Sequence, residues 1–287
     1  MNNSRAQFGL MLSALFWGIS GILTQIALEE VSTMTLIFFR FLLSTALAIT
    51  LFKTYRFEKS YLKHGIILAS LLMVIYLSSN AGLKHTSASN AGFIIGSNVI
   101  LVPFINRLFF KSPIAKKVYI KSFTCFIGLA LITLKGAKPL NIGDFYCFID
   151  AIAYSLYIIY NSRINKNLNT KKLISIQYGM VTFLSFFYII RFEGLSLQMS
   201  IKGALSIVIL SVLCTFLAFY LQLQSQQYIS AEKASQILSL IPIFTVIFDM
   251  IIMGTILTPA ALIGGLLVLS VSVEPPQKKC NLKTNKI

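Results

Sequence analysis

Residues 87–94 read Ser87-Ala88-Ser89-Asn90-Ala91-Gly92-Phe93-Ile94, and residues 230–237 read Ser230-Ala231-Glu232-Lys233-Ala234-Ser235-Gln236-Ile237. Both fit Ser-Ala-x-x-Ala-x-x-Ile, and the copies stand 143 residues apart in a chain of 287. The offset is half the chain, so the sequence reads as two related halves. Each copy opens an apolar run interrupted by a proline, Pro103 in one and Pro242 in the other. Proline-broken segments at corresponding places in two membrane-embedded halves mark where a binding site is built between them. Relative to the motif the two prolines differ by four residues, about one helical turn. Either the second helix is shorter before its break or the prolines are not strict equivalents.

Working outward from the motif, most of the chain cannot face water. It is 56% hydrophobic and 12% charged, with a mean hydropathy of +0.78; a soluble domain would carry about a quarter charged residues. Apolar stretches near the length of a helical bilayer crossing recur throughout. They are continuous rather than alternating, which excludes a barrel of short strands. The sequence predicts spans at 8–28, 33–52, 65–83, 90–110, 118–135, 142–160, 173–190, 203–223, 234–253 and 258–273. The first has too long an apolar run for a signal peptide, and no small-residue cleavage site follows it.

The net charge of +16 is a matter of topology. With the N-terminus inside and loops alternating, nineteen of the 25 Lys and Arg fall on the inner side, among them Arg5, Lys53, Lys111, Arg163 and Lys233. Five, including Lys84 and Arg191, fall outside, and Arg40 lies within a span. This bias orients the chain with both termini in the cytosol of the inner or plasma membrane, and the basic excess meets anionic headgroups rather than nucleic acid. Ten spans divide into five and five, an odd number per half, so the second half inserts upside down. The predicted fold class is an all-α integral membrane protein with ten transmembrane helices as two inverted five-helix repeats. The divisions are 1–137, 138–275 and a basic cytosolic tail at 276–287.

Polar side chains in hydrocarbon are costly unless they face protein or a water-filled cavity. In the sixth span Asp150, Tyr154, Tyr157 and Asn161 follow i, i+4, i+7, i+11, one helical face. Asp150 reads either as a proton- or cation-binding group or as a protonated acid bonded to a neighbouring helix. The first span carries Ser13, Trp17, Ser20 and Thr24 at the same spacing, with Gly18 and Gly21 read as sites of close helix approach. Gly92-x-x-x-Gly96 reads the same way. Tyr76 and Asn80 share a face of the third span; Ser97 and Asn98 precede Pro103; Thr215 and Gln222 share a face of the eighth; Gln236 and Ser239 precede Pro242. These suit a polar, zwitterionic ligand or, equally, interhelical hydrogen bonds. Arg40 either meets an anionic group or pairs with Glu29 or Glu30 nearby. His64 and His85 fall in loops on opposite faces, and the four cysteines form no C-x-x-C pair, so no metal site or other cofactor is implied.

Together these residues carry a resemblance. Trp17-Gly18, Phe39-Arg40-Phe41, Ala91-Gly92-Phe93-Ile94 with Pro103, Gly143-Asp144, Thr215-x-x-Ala218-Phe219, Gln226-Gln227-Tyr228, Pro242 and Gly264-Gly265 follow one another in an order similar to that of the EamA-type branch of the drug/metabolite transporter superfamily. The resemblance implies ten helices in inverted repeats, movement of small metabolites such as amino acids out of the cell, and a cavity walled by helices one, three, four, six, eight and nine. Two acidic positions common in that family are Ile241 and Thr255 here, which separates this chain from any mechanism that uses them.

The function expected is secondary transport, with export of an amino acid, amine or related compound by alternating access and Asp150 as the coupling group. Uptake of a nutrient or cofactor is the alternative. No Gly-x-x-x-x-Gly-Lys-Ser/Thr loop occurs, against ATP-driven pumping. Nine scattered carboxylates and two histidines on opposite faces assemble no catalytic constellation, against a membrane-embedded enzyme. The partners expected are a small molecule and the lipid bilayer, in a monomer or homodimer.

Overall fold

The computed structural model describes residues 2–54, 59–133, 139, 141–164, 168–194, 199–254 and 258–273. Every secondary-structure element among them is helical. They are α1 (Asn3–Leu28), α2 (Thr33–Phe52), α3 (Lys59–His85), α4 (Ala88–Gly96), α5 (Asn98–Leu108), α6 (Lys116–Thr133), α7 (Ile142–Arg163), α8 (Thr170–Tyr188, prolonged by a π-helical turn), α9 (Ile201–Ile209), a π-helical segment (Leu210–Leu217), α10 (Ala218–Gln226), α11 (Ala231–Leu238), α12 (Ile241–Met253) and α13 (Pro259–Ser272). Among the described residues eight helical segments are long and apolar enough to cross a membrane. α6 carries Lys116, Lys117 and Lys121 within its 18 residues, and α13 has only 14.

The helix starts are written in the sequence. Ser32, Ser87, Ser200, Ser230 and Thr258 each accept a bond from the backbone N–H three residues on, satisfying one of the donors a helix leaves free at its start. Asn141 and Asp144 form a reciprocal capping box at the head of α7. The repeated motif thus has a physical meaning in both copies: its serine caps, and its second alanine, Ala91 or Ala234, is buried.

The two halves also pack alike. α3 lies against α7 as α1 lies against α9 and α10; α4 and α5 lie against α7 as α11 and α12 lie against α1; α2 meets α8, and α6 meets α13. Exchanging α1 for α7, α2 for α8, α3 for α9–α10, α4–α5 for α11–α12 and α6 for α13 maps these contacts onto one another. α6 and α13 cross tightly glycine on glycine, since a Cβ on Gly264 would collide with the Gly128 carbonyl oxygen. Polarity is inverted relative to a water-soluble protein. Gln177, Gln222, Gln226, Ser211 and Thr215 are fully buried, whereas Phe8, Phe109, Ile120, Phe187 and Ile201 are largely exposed, as expected of a surface that meets lipid.

One sequence expectation needs correction. The first-half break is not at Pro103, which lies inside α5; the helix is interrupted at Ser97. Proline cannot donate to the carbonyl of Val99, and the ladder yields a turn and a half upstream, where side chains take over. Ser97 Oγ donates to the Ile94 carbonyl at 2.6 Å and Asn98 Nδ2 to that of Ile95 at 2.9 Å. In the second half the break is at Ser239, whose Oγ donates to the Gln236 carbonyl at 2.7 Å, and Pro242 sits in the first turn of α12, where no donor is needed. The corresponding breaks therefore stand at Ser97 and Ser239, ten and nine residues after the motif serines, so the four-residue mismatch of the prolines shrinks to one at the breaks.

Candidate functional site

The stripes of α1 and α7 meet in the middle of the interface between halves. The Trp17 ring lies edge-on to Phe219, with centroids 4.8 Å apart, and to Tyr154 at 6.0 Å. Tyr154 stacks near Tyr157 at 6.3 Å, and Tyr157 meets Phe219 at 5.7 Å. Polar tips line this box. Gln222 Nε2 donates to the Tyr154 hydroxyl at 3.4 Å, and Gln177 Nε2 to that of Tyr157 at 3.3 Å. Trp17 Nε1 donates to the Cys214 carbonyl at 2.8 Å. Tyr154, Tyr157, Thr215 and Gln222 are all buried, so the middle of the interface is closed to water in this structure. A cavity of about 250 Å³, lined by Gln25, Leu28, Glu29, Leu83 and Lys84, lies at the ends of α1 and α3.

Arg40 is the charged member. It is 3% exposed, and its Nε donates to Thr215 Oγ1 at 2.5 Å. Its Nη2 makes long contacts to Ser20 Oγ at 3.4 Å and the Cys214 carbonyl at 3.5 Å, and the guanidinium stands 4.7 Å over the Tyr76 ring. Each of these partners is neutral. The expected pairing with Glu29 or Glu30 is not made: the Glu30 carboxylate accepts from the Ser200 amide at 2.6 Å and its hydroxyl at 2.5 Å. Those two bonds hold the Glu30 carboxyl below its ordinary pKa.

Asp150 is 3% exposed, and Ser79 of α3 is the hydroxyl that faces it. Its Oδ1 has no partner, and neither has Gln222 Oε1, Asn161 Oδ1 or Ser225 Oγ. Buried polar atoms are normally satisfied, so bare ones are unusual and need a reason. Asp150 and Asn161 lie on α7, and Gln222 and Ser225 on α10.

The remaining candidates stand elsewhere. Asn80 is buried one turn beyond Tyr76 on α3. Ser97, Asn98 and Ser239 serve the helix breaks, and Gln236 Nε2 donates to Ser122 of α6 at 3.4 Å, so of the amides read from the fourth, eighth and ninth spans only Gln222 joins the aromatic box. Gly18 packs tightly against Phe244, but a Cβ on Gly21 would meet nothing within 4 Å; Gly96 is likewise tight and Gly92 is not. His64 and His85 are on α3 rather than in loops, because that helix runs to 27 residues, well past the apolar core of its span. His64 Nδ1 lies 2.8 Å from the Tyr160 hydroxyl. Ile241 opens α12, and Thr255 lies outside the described residues. Sequence reasoning missed Phe219, Gln177 and Tyr178, whose hydroxyl donates to the Thr215 carbonyl at 2.8 Å. An amide and a phenol side by side in an apolar run were the available signal for α8.

The ends of α7 are tied to their surroundings. At its start Thr86 donates to Asp144 at 2.5 Å. At its end Arg163 Nη2 donates to Asn106 Oδ1 at 2.8 Å and Ser112 Oγ at 2.6 Å, and Asn106 Nδ2 donates to Glu232. This second cluster joins α5 and the turn after it to α7 and α11, across the two halves.

The EamA-like transporter family matches the chain twice, over residues 4–134 and 141–273. The chain belongs to the EamA-like transporter family. This EamA-like chain is 30% identical over 264 residues to an uncharacterized transporter of Archaeoglobus fulgidus, covering 92% of this chain and 83% of the relative. It is 27% identical to the uncharacterized transporter YyaM of Bacillus subtilis over 79% of each chain. A crystal structure of a protein 15% identical in sequence superposes with a TM-score of 0.81 over 95% of this chain and 96% of that one, which speaks for the fold. The EamA-like chain is thus a multi-pass membrane transporter rather than an enzyme.

Proposed function

We propose that this chain exports a small amphipathic metabolite with an anionic group, of the amino acid class or close to it, by proton-coupled alternating access. The carrying observation is a buried cation whose hydrogen-bond partners are all neutral, Arg40 over the Tyr76 ring that lies 6.4 Å from Phe219 of the box, together with two buried polar atoms, Asp150 Oδ1 and Gln222 Oε1, that have no partner among the described residues. A carboxylate on Arg40 and a donor group on Asp150 and Gln222 would satisfy all three, with the apolar part of the ligand against Trp17, Tyr154 and Phe219. Asp150 is the coupling group, because an uncompensated carboxylate at this depth is unfavourable by about 3 kcal/mol on insertion scales and a proton or a ligand ammonium relieves it.

The transport cycle rests on ten crossings in two inverted repeats, 1–137 and 138–275, with both termini in the cytosol of the plasma membrane. The distribution of basic residues, the paired Ser-Ala-x-x-Ala-x-x-Ile caps and the contacts that exchange between halves support this arrangement. The site would open alternately as the ties at the two ends of α7 break in turn, and the closed box corresponds to the occluded state. Export follows the family resemblance.

A melting-temperature screen of the purified protein against amino acids, amines and organic acids tests the site, since a ligand at 100 times its Kd stabilises by about 2.7 kcal/mol. Stabilisation by a carboxylate-bearing compound, followed by its counterflow in proteoliposomes, is expected. A screen in which only neutral or cationic compounds bind would overturn the reading of Arg40, and counterflow confined to the inward direction would overturn export.

A further inference from the structure

A groove of about 360 Å³ runs between α3 and α7, with Ile66, Ile67 and Leu71 from one helix and Leu156 and Tyr160 from the other, none of them a residue of the box. Phe110, just beyond α5, closes one end. Among the described residues its lining is apolar apart from Ser70 and the Tyr160 hydroxyl and includes no charged side chain. The groove opens among exposed apolar side chains, Leu62, Ile66 and Phe109, so its open side meets hydrocarbon rather than water. The closed end is different. The Arg163 guanidinium lies 4.2 Å over the Phe110 ring, exposed Lys111 follows Phe110, and exposed Lys63 precedes the His64 that bonds Tyr160. The acid nearest Arg163, Glu232, is engaged by Asn106.

We propose that this groove is a binding site for an anionic phospholipid, one acyl chain lying along α3 and α7 and the phosphate held by Arg163, Lys63 and Lys111. An apolar channel ending in a net positive charge is complementary to an amphiphile with an anionic head. A guanidinium fixed on an aromatic face has donors in a planar fork suited to phosphate oxygens. The hydrogen-bond partners of Arg163, Asn106 and Ser112, are neutral, and although Glu232 acts on it, Lys63 and Lys111 leave this end with a net positive charge for the ligand. In the orientation proposed above this end faces the cytosolic leaflet, whose headgroups are anionic and where basic pockets between helices take up such lipids. The groove opens sideways to the bilayer and shares none of the box residues, so its occupant is a lipid of that leaflet and not the transported compound.

The test uses the full chain in a neutral detergent, with dioctanoyl phosphatidylglycerol and dioctanoyl phosphatidylcholine as probes, read by native mass spectrometry and melting temperature. At least tenfold tighter binding of the phosphatidylglycerol is expected. The double variant Lys63→Gln/Lys111→Gln, on exposed side chains outside the Arg163 hydrogen bonds, should cut that preference over phosphatidylcholine at least threefold, the remainder resting on Arg163. Ser70→Trp, which puts an indole into the groove, should abolish both. Equal affinity for the two lipids in the native protein overturns the proposal, as does a phosphatidylglycerol preference left undiminished by the lysine changes. If Ser70→Trp does not fold, the lysine pair decides alone. Binding is read without transport, so failure here and failure of the transport reading are separate results.

Discussion

Gly18 and Gly21 stand three residues apart on α1, yet the structure gives them opposite roles. A Cβ on Gly18 would lie 2.5 Å from Phe244 Cβ, 3.0 Å from the Phe244 carbonyl carbon and 3.1 Å from the Thr245 nitrogen. Carbon atoms in contact sit at about 3.5–4.0 Å, so Gly18→Ala requires α1 and α12 to part by roughly 1 Å. Two of the three atoms are backbone, which no rotamer change relieves. Overpacking of this kind typically costs about 1–3 kcal/mol, and the upper half of that range applies. At about 2–4 °C per kcal/mol for a protein of 150–250 residues, the melting temperature should fall by roughly 5–10 °C. Gly21→Ala meets nothing within 4 Å and replaces a poor helix former with the best one, worth up to about 1 kcal/mol in favour of the helix, so its melting temperature should stay level or rise. The assay is intrinsic-fluorescence unfolding of both variants in the same detergent. Because α1 joins the first half and α12 the second, Gly18→Ala should also slow counterflow. Equal melting of the two variants would refute the packing assigned to this interface.

Arg40→Gln removes the buried cation and should weaken a carboxylate ligand by about 2–5 kcal/mol, some thirtyfold or more, while an amide analogue of the same ligand binds both proteins alike; titration of the melting temperature measures it. Asp150→Asn should keep counterflow but lose concentrative transport and its pH dependence, read as uptake into vesicles under an imposed proton gradient; unchanged concentrative transport would remove Asp150 from the coupling. Asn106→Ala removes an acceptor of Arg163 and the donor to Glu232 together. Bonds to charged groups are worth about 1.5–3 kcal/mol, less for exposed Arg163, so a loss of a few degrees in melting temperature is expected, together with faster proteolysis at the Ser112 turn.

Much of this was legible because burial in a bilayer simplifies the code. Among the described residues the apolar segments are helical, eight of them long and apolar enough to cross a membrane, since uninterrupted hydrocarbon-soluble sequence has few other ways to satisfy its backbone, and the stripes of the first and sixth spans touch through Trp17 and Tyr154. What failed depends on partners a sequence does not name. Gly18 and Gly21 look alike until Phe244 is placed against one of them. Pro103 looks like a break until the ladder is seen to yield at Ser97, where hydroxyl and amide groups take over the carbonyls. Arg40 looked near Glu30 along the chain, but Ser200, from the other half, reaches that carboxylate first. Phe219 carries no polar atom to betray a place in the box.

Ser20→Cys, nearly isosteric and beside Arg40, offers the most direct measurement. In a background lacking the native cysteines, a membrane-impermeant thiol reagent is applied from each side of oriented vesicles. Reaction from both sides, slowed on both by the bound ligand, is the expected outcome for a site that opens alternately between two halves. Labelling from one side only, under every ligand and gradient condition, would contradict it.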